Sequence, residues 1–192
     1  MQITEINRYP LKSGAADALN MGQLTPSGLT FDRHWMVVSE SGRFISQRDK
    51  GAQKLSLVRA AILDEGLELF APDKSPLIVP FESKAPRMID VELHGTHYKG
   101  VDAGDEAATW FSELLPAWKG ESFRLVYFPS DYTRSTKGHY TQHESAVTEF
   151  ADGYAVLITN ESSLADLNPR LVSKGVDPVR MNVFRPNVVL GG

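Results

Sequence analysis

Met88-Ile89-Asp90-Val91-Glu92-Leu93-His94-Gly95-Thr96-His97-Tyr98-Lys99-Gly100-Val101 decides how this chain is read. Two strand-like runs flank His94-Gly95, a short turn signal, so the stretch predicts a β-hairpin. The same pattern recurs upstream. Trp35 to Val38 and Phe44 to Ser46 flank Glu40-Ser41-Gly42-Arg43, and Ala61 to Leu63 and Leu67 to Phe70 flank Asp64-Glu65-Gly66. Leu77 to Val79 lies between Pro76 and Pro80 and reads as an edge strand or extended connector. Repeated hairpins of this length point to an antiparallel sheet or barrel. The fold class is therefore mainly β (α+β).

Two helices interrupt the strands. Gly104-Asp105-Glu106 opens the first, with carboxylates where the helix dipole favours them. Trp110, Phe111, Leu114 and Leu115 repeat at helical spacing, and Pro116 ends the run. The second helix follows a predicted strand over Tyr154 to Thr159. Asn160 or Ser162 caps it, Leu164, Leu167 and Leu171 share one face, and Pro169 predicts a kink or break. Between Pro129 and Phe150 the chain turns polar, which predicts a long loop and a domain junction. The division expected is 1–125 and 126–192.

Composition narrows the function. The 192 residues are 42% hydrophobic and 23% charged, ordinary values for a globular chain long enough to bury a core. A net charge of -4 argues against nucleic-acid binding through overall charge, while leaving room for a local basic pocket. There is no cysteine, so this chain offers no disulfide, thiolate metal site or thiol nucleophile. No signal-peptide pattern and no membrane span can be read, so a cytoplasmic location away from membranes is expected. Asn160-Glu161-Ser162 matches a glycosylation sequon, which without a secretory signal reads as chance.

The residues suited to chemistry are cations beside turns. In Tyr9-Pro10-Leu11-Lys12-Ser13-Gly14, Gly14 permits a tight turn. Successive amides can then form an anion nest beside the Lys12 charge and the Ser13 hydroxyl. In Phe31-Asp32-Arg33-His34-Trp35, the charged pair either closes a sheet end or supplies a phosphate-binding arginine. In Phe184-Arg185-Pro186-Asn187, the proline restricts Arg185 toward extended backbone and aims its planar fork. Asn187 can donate to and accept from a heteroaromatic edge. Asp152-Gly153 reads as a turn whose carboxylate can also face a ligand. His139 and His143, with Glu144 adjacent, have metal-binding spacing, but their polar surroundings read as a solvated loop. His94 and His97 read as surface positions beside a turn.

Taken in order, the Tyr9 to Ser13 and Phe31 to Trp35 motifs, Phe150-Ala151-Asp152-Gly153-Tyr154, Ser163-Leu164-Ala165-Asp166-Leu167-Asn168 and Phe184 to Asn187 resemble the MOSC family. That family is named for the C-terminal region of molybdenum cofactor sulfurase. The chain is most similar to the amidoxime-reducing type, which carries an additional N-terminal MOSC-associated β domain. The resemblance spans essentially the whole chain. It implies a β-barrel architecture, with 1–125 as the N-terminal β domain and 126–192 as the beginning of the MOSC domain. It also implies a molybdenum–pterin cofactor (molybdopterin) and reduction of small N-hydroxylated substrates. The electrons would come from a ferredoxin- or flavoprotein-type redox partner.

By motif position, Lys12, Ser13 and Arg33 would hold the pterin phosphate or its surroundings. Asp152, Ser163, Arg185 and Asn187 would line the rest of the pocket. One departure matters. The family's molybdenum-ligating cysteine lies downstream of the motif ending in Asn187, and this chain contains none. The expectation is a piece of a longer protein, inactive alone; a natural short form is the alternative. Two other functions stay open: a non-catalytic module for a pterin or other phosphorylated ligand, and a pyridoxal phosphate enzyme using Lys12 for a Schiff base.

Overall fold

Tight turns between apolar runs leave a chain little choice but to pair with itself: the hairpins around Asp64-Glu65-Gly66 and His94-Gly95 form as predicted, whereas Phe44 to Ser46 forms no strand and meets the run from Trp35 only through an isolated bridge between Val38 and Phe44. The computed structural model describes residues 1–82, 86–136 and 146–192. The first strands are β1 (Gln2–Arg8), β2 (Asp17–Leu19), β3 (Leu24–Thr25), β4 (Gly28–Leu29) and β5 (Trp35–Ser39). Next come β6 (Arg59–Ile62), β7 (Gly66–Phe70), β8 (Leu77–Pro80), β9 (Met88–Leu93) and β10 (Thr96–Asp102). Helix α1 (Asp105–Leu114) and β11 (Phe123–Tyr127) follow. The chain closes with β12 (Ile158–Asn160), α2 (Glu161–Val172) and β13 (Val188–Gly191). The described residues are thus mainly β with two α-helices.

The central sheet has the order β5-β11-β10-β9, built around the β9–β10 hairpin, in which Leu93 pairs with Thr96. Both faces of β5 are buried. Trp35 and Val37 point into one apolar cluster with Leu125 and Phe111, and Met36 and Val38 into a second with Phe44, Val91 and Phe150. Alternate side chains of a strand lie on opposite faces, so one strand serves two cores. Helix α1 closes the first cluster through Trp110, Phe111 and Leu114. It stops at Leu115, before Pro116, as predicted. The smaller sheet β6-β7-β8 packs on the same cluster, with β8 at its edge.

A second four-stranded sheet, β12-β13-β1-β2, joins the two ends of the chain, and β3 and β4 form a two-stranded sheet of their own. Strand β13 lies antiparallel to β1 and parallel to β12. This pairing carries the Phe184 to Asn187 motif across to Tyr9 and Lys12.

Two local expectations are corrected. The predicted strand over Tyr154 to Thr159 is only Ile158–Asn160. Backbone pairing with the far strand begins at Leu157, whose carbonyl accepts from the Asn187 amide at 2.8 Å. Tyr154 and Val156, upstream of it, line a cavity. Pro169 does not break α2: only three residues follow it before the helix ends at Val172, so few intrahelical bonds are at stake. The Asn160 cap is as expected, its side chain accepting from the Ser162 and Ser163 amides. No residue of α2 is fully buried. His139, His143 and Glu144 lie outside the described residues. Among the described residues, no helix is long and apolar enough to cross a membrane.

Candidate functional site

Lys12 and Arg33 reach one wall because the segment after β1 runs alongside the start of β5. The Lys12 amide donates to the Trp35 carbonyl at 2.8 Å, and the Trp35 amide to the Pro10 carbonyl at 3.0 Å. Arg33 N–H donates to the Tyr9 carbonyl at 2.7 Å, while Tyr9 N–H donates to Asp32 Oδ1 at 2.8 Å. The turn after Lys12 closes through Gly14 N–H to the Leu11 carbonyl at 2.9 Å. Its left-handed residue is Ser13, with φ 68°, and not Gly14. Gly14 instead sits where space is tight: a Cβ there would lie 3.0 Å from Leu11 Cβ and 3.1 Å from the Val58 carbonyl oxygen. The expected amide nest is therefore corrected, because the Lys12 and Gly14 amides already serve backbone carbonyls. The side chains are what face the cavity.

Arg185 arrives from the other end of the chain. It ends a 3-10 turn over Met181–Phe184 with φ 57° and ψ 49°. The expectation that Pro186 would hold it extended is overturned, for left-handed backbone lets its carbonyl accept from Arg33 Nη2 at 3.0 Å. Arg185 Nη1 donates to the Gly14 carbonyl, and its Nη2 is buried without a partner. Both guanidinium groups lie over the Tyr9 ring, each 4.3 Å from its centroid. Arg33 also pairs with buried Asp32. Non-glycine residues in left-handed backbone cost about 1–3 kcal/mol each and gather at functional sites. Ser13, Arg33 and Arg185 all adopt it here.

Asn187 serves the fold first. Its side-chain carbonyl accepts from Leu157 N–H at 3.1 Å, and its Nδ2 donates to the Asn7 carbonyl at 3.1 Å. It lines the cavity, but its amide already knits three segments together.

Asp152 forms the opposite lip. Its Oδ1 takes the Lys12 ammonium and also meets His94 Nε2 at 2.9 Å. The backbone below is clamped by Arg134, which donates to the carbonyls of Glu149, Ala151 and Asp152. Phe150 N–H donates to the Arg33 carbonyl at 3.1 Å, so the lip is also tied to the cationic wall.

These groups enclose a cavity of about 320 Å³ lined by Lys12, Ser13, Arg33, Asp152, Arg185 and Asn187. Six of the seven residues expected from the sequence are brought together. The seventh, Ser163, sits on α2 and lines a separate apolar groove with Leu164 and Leu167. Burial lowers Lys12 to about 8, against the charge and hydrogen bond of Asp152. Burial and the neighbouring Arg33 bring Arg185 down to about 10, so it stays charged at neutral pH. Burial raises Asp152, but Lys12 and His94 outweigh it and hold the carboxyl well below its ordinary value. Burial raises Asp32 in spite of Arg33. Among the described lining residues, the cations Lys12, Arg33, Arg48 and Arg185 stand against the single carboxylate Asp152. Such a site suits an anion with more than one oxygen. The unpartnered Arg185 Nη2 is a donor still lacking an acceptor.

Sequence reasoning missed several members. His94, read as a surface turn residue, stands at the cavity mouth because its hairpin reaches across to the 150–153 segment. Arg48 and Gln47 line the cavity from the loop after β5. Phe44 forms a floor under Lys12, with Nζ 4.9 Å from the ring centroid. Arg134, lying in polar sequence, gave no motif at all.

Residues 1–117 match the family described as "MOSC N-terminal beta barrel domain". "Mitochondrial amidoxime reducing component 2" of Rattus norvegicus is 34% identical, over 99% of this chain and 56% of its own length. The Bos taurus protein of the same name is 32% identical over 99% and 56%. The Homo sapiens protein is 32% identical over 96% and 54%. The chain spans little more than half the length of these relatives. The family match takes in more than half of the chain, including the turn that carries Lys12 and the pair Asp32–Arg33, and on that ground the chain belongs to the MOSC family.

Proposed function

We propose that the cavity binds the phosphate and pterin of a molybdenum–pterin cofactor, and that the full-length protein reduces N-hydroxylated compounds with electrons from a redox protein. The observation that carries this reading is the convergence of Lys12, Arg33 and Arg185, from three distant parts of the sequence, on one cavity of about 320 Å³. That volume is in the range of small-molecule sites. The donor set fits the group: fixed cations for a phosphate and an unpartnered guanidinium nitrogen for a further oxygen. Lys12, Ser13 and Arg33 would hold the phosphate end. Arg185 would meet the remainder, with Asp152 at the lip and Asn187 keeping the wall in register.

When bound, the cofactor supplies the two electrons that, with two protons, turn an N–OH into N–H and water. The residues of this chain bind and orient it. The cavity's net positive charge lowers the cost of bringing an anionic cofactor out of water. The electron donor would be a ferredoxin- or flavoprotein-type partner, and the proposed division remains 1–125 and 126–192. A cytoplasmic location belongs to this proposal as well, although the relatives are named as mitochondrial proteins.

The test compares pterin and molybdenum content of the full-length protein with and without Arg33→Ala. The variant should retain less of both; unchanged pterin would remove Arg33 from the cofactor site. The 192-residue chain, having no thiolate, should keep no molybdenum and turn over no simple amidoxime. Stoichiometric metal with turnover in that chain would overturn the need for a thiolate. Adding reduced ferredoxin or a reduced flavoprotein to the full-length protein tests the partner.

A further inference from the structure

Lys12 is nearly sealed in, its side chain 6% exposed, while the carboxylate that neutralises it is 71% exposed. A buried ammonium is costly without a counter-charge, and the mouth of the cavity supplies one. Asp152 can leave cheaply, because its side chain already stands in water. Its backbone cannot follow, since Arg134 grips three carbonyls of the segment and Phe150 N–H is bound to the Arg33 carbonyl. Rotation of the side chain alone is enough to uncover Lys12. His94 is already bonded to the same carboxylate oxygen and is half exposed at the tip of the β9–β10 hairpin. It is placed to keep the carboxylate once the lysine has let go. Lys12 cannot move outward with it, held over the Phe44 ring.

We infer that Asp152 is a built-in counter-anion for Lys12, displaced when a phosphate-bearing ligand enters the cavity, and that His94 receives the released carboxylate. This rests on the reading of the cavity as a phosphate site. Asp152 thereby sets the affinity of the site without being one of its binding groups. Weakly charged anions fail to dislodge it, whereas a dianion that also reaches Arg33 and Arg185 succeeds. The device keeps Lys12 paired in the empty site and selects for doubly charged ligands.

Inorganic phosphate, titrated by calorimetry at pH 7.5, where it is mostly the dianion, into full-length protein purified from cells that make no molybdenum cofactor, tests this. That pH lies below the Lys12 value of about 8, so the lysine is mostly charged. Asp152→Asn, which keeps the clamped backbone, should bind phosphate about fivefold tighter, the scale of one partly exposed ion pair. Asp152→Ser provides a second variant with the same expectation. Adding Lys12→Met should remove the gain. His94→Ala should weaken phosphate binding in the wild type and leave it unchanged in the Asp152→Asn background. If Lys12→Met abolishes binding while Asp152→Asn and Asp152→Ser bind no tighter than wild type, the phosphate site stands and the counter-anion role falls. An equal loss from His94→Ala in both backgrounds removes His94 as the receiver. If no variant binds phosphate, or Lys12→Met binds like wild type, the phosphate-site reading itself fails and takes this inference with it.

Discussion

The inner wall and the mouth of the cavity each hold a cation and a carboxylate, yet the two pairs are built in opposite ways. Arg33 pairs with Asp32, whose side chain is 1% exposed and also receives the Tyr9 amide. Lys12 pairs with Asp152, which is largely in water. At the wall the anion is permanent and belongs to the fold. At the mouth the cation is permanent and the anion is not. A salt bridge seen in a structure therefore says little by itself; which partner is buried decides whether it holds the fold or gates a site.

The sharpest way to break this comparison is to remove each carboxylate. Asp32→Ala should cost about 3–5 kcal/mol of stability, because it strands a buried charge and a buried amide. Chemical denaturation would read the loss; a cost of only about 1–2 kcal/mol would make the two pairs alike. The second comparison is in binding. Arg33→Ala should weaken pterin-phosphate affinity by about 1.5–3 kcal/mol, the worth of a hydrogen bond to a charged group. Arg33→Lys should recover only part of it, since the planar fork is lost. Equal calorimetric affinity for wild type and Arg33→Ala would assign the arginine to the fold alone.

The pH dependence sharpens the contrast further. Lys12 falls from an ordinary value of 10.5 to about 8 on folding, so between those values the unfolded chain binds more protons than the folded one. Its contribution to stability therefore rises as pH climbs from about 8 to 10.5, by on the order of 3 kcal/mol. Over the same window phosphate affinity should fall as the lysine loses its charge. Stability curves of wild type and Lys12→Met, taken from pH 7 to 11, should converge toward the alkaline end. Parallel curves would rule out this lysine as the source. The smallest effect is expected at the mouth: Asp152→Ala leaves the buried Lys12 ammonium unpaired and should cost about 1–2 kcal/mol, less than Asp32→Ala because the lysine can shed its proton. A loss as large as that of Asp32→Ala would show that Asp152 belongs to the fold after all.

Much of the fold was legible because its signals are local. The His94-Gly95 turn and its flanking runs became β9 and β10, and Asn160 capped α2. Lys12, Arg33 and Arg185 stood out because each adjoins a turn or proline, and all three line the cavity. Backbone detail was less legible. Gly14 read as the flexible member of its turn, but Ser13 takes the left-handed angle while Gly14 fits where space for a side chain is tight. Arg185 is left-handed in spite of the following proline, because its carbonyl and guanidinium both answer to partners more than 150 residues away.

By itself, the sequence determined the hairpins, the helix limits and the presence of three turn-adjacent cations, since all depend on residues within a few positions of one another. Only the tertiary structure decided that β13 lies beside β1, which brings Arg185 to Tyr9, and that His94 reaches Asp152 from a hairpin 58 positions away. It alone decided which carboxylate is buried, Asp32 or Asp152, and so which ion pair can open. Burial is a property of what packs around a residue after the chain has closed on itself, and no local pattern encodes it.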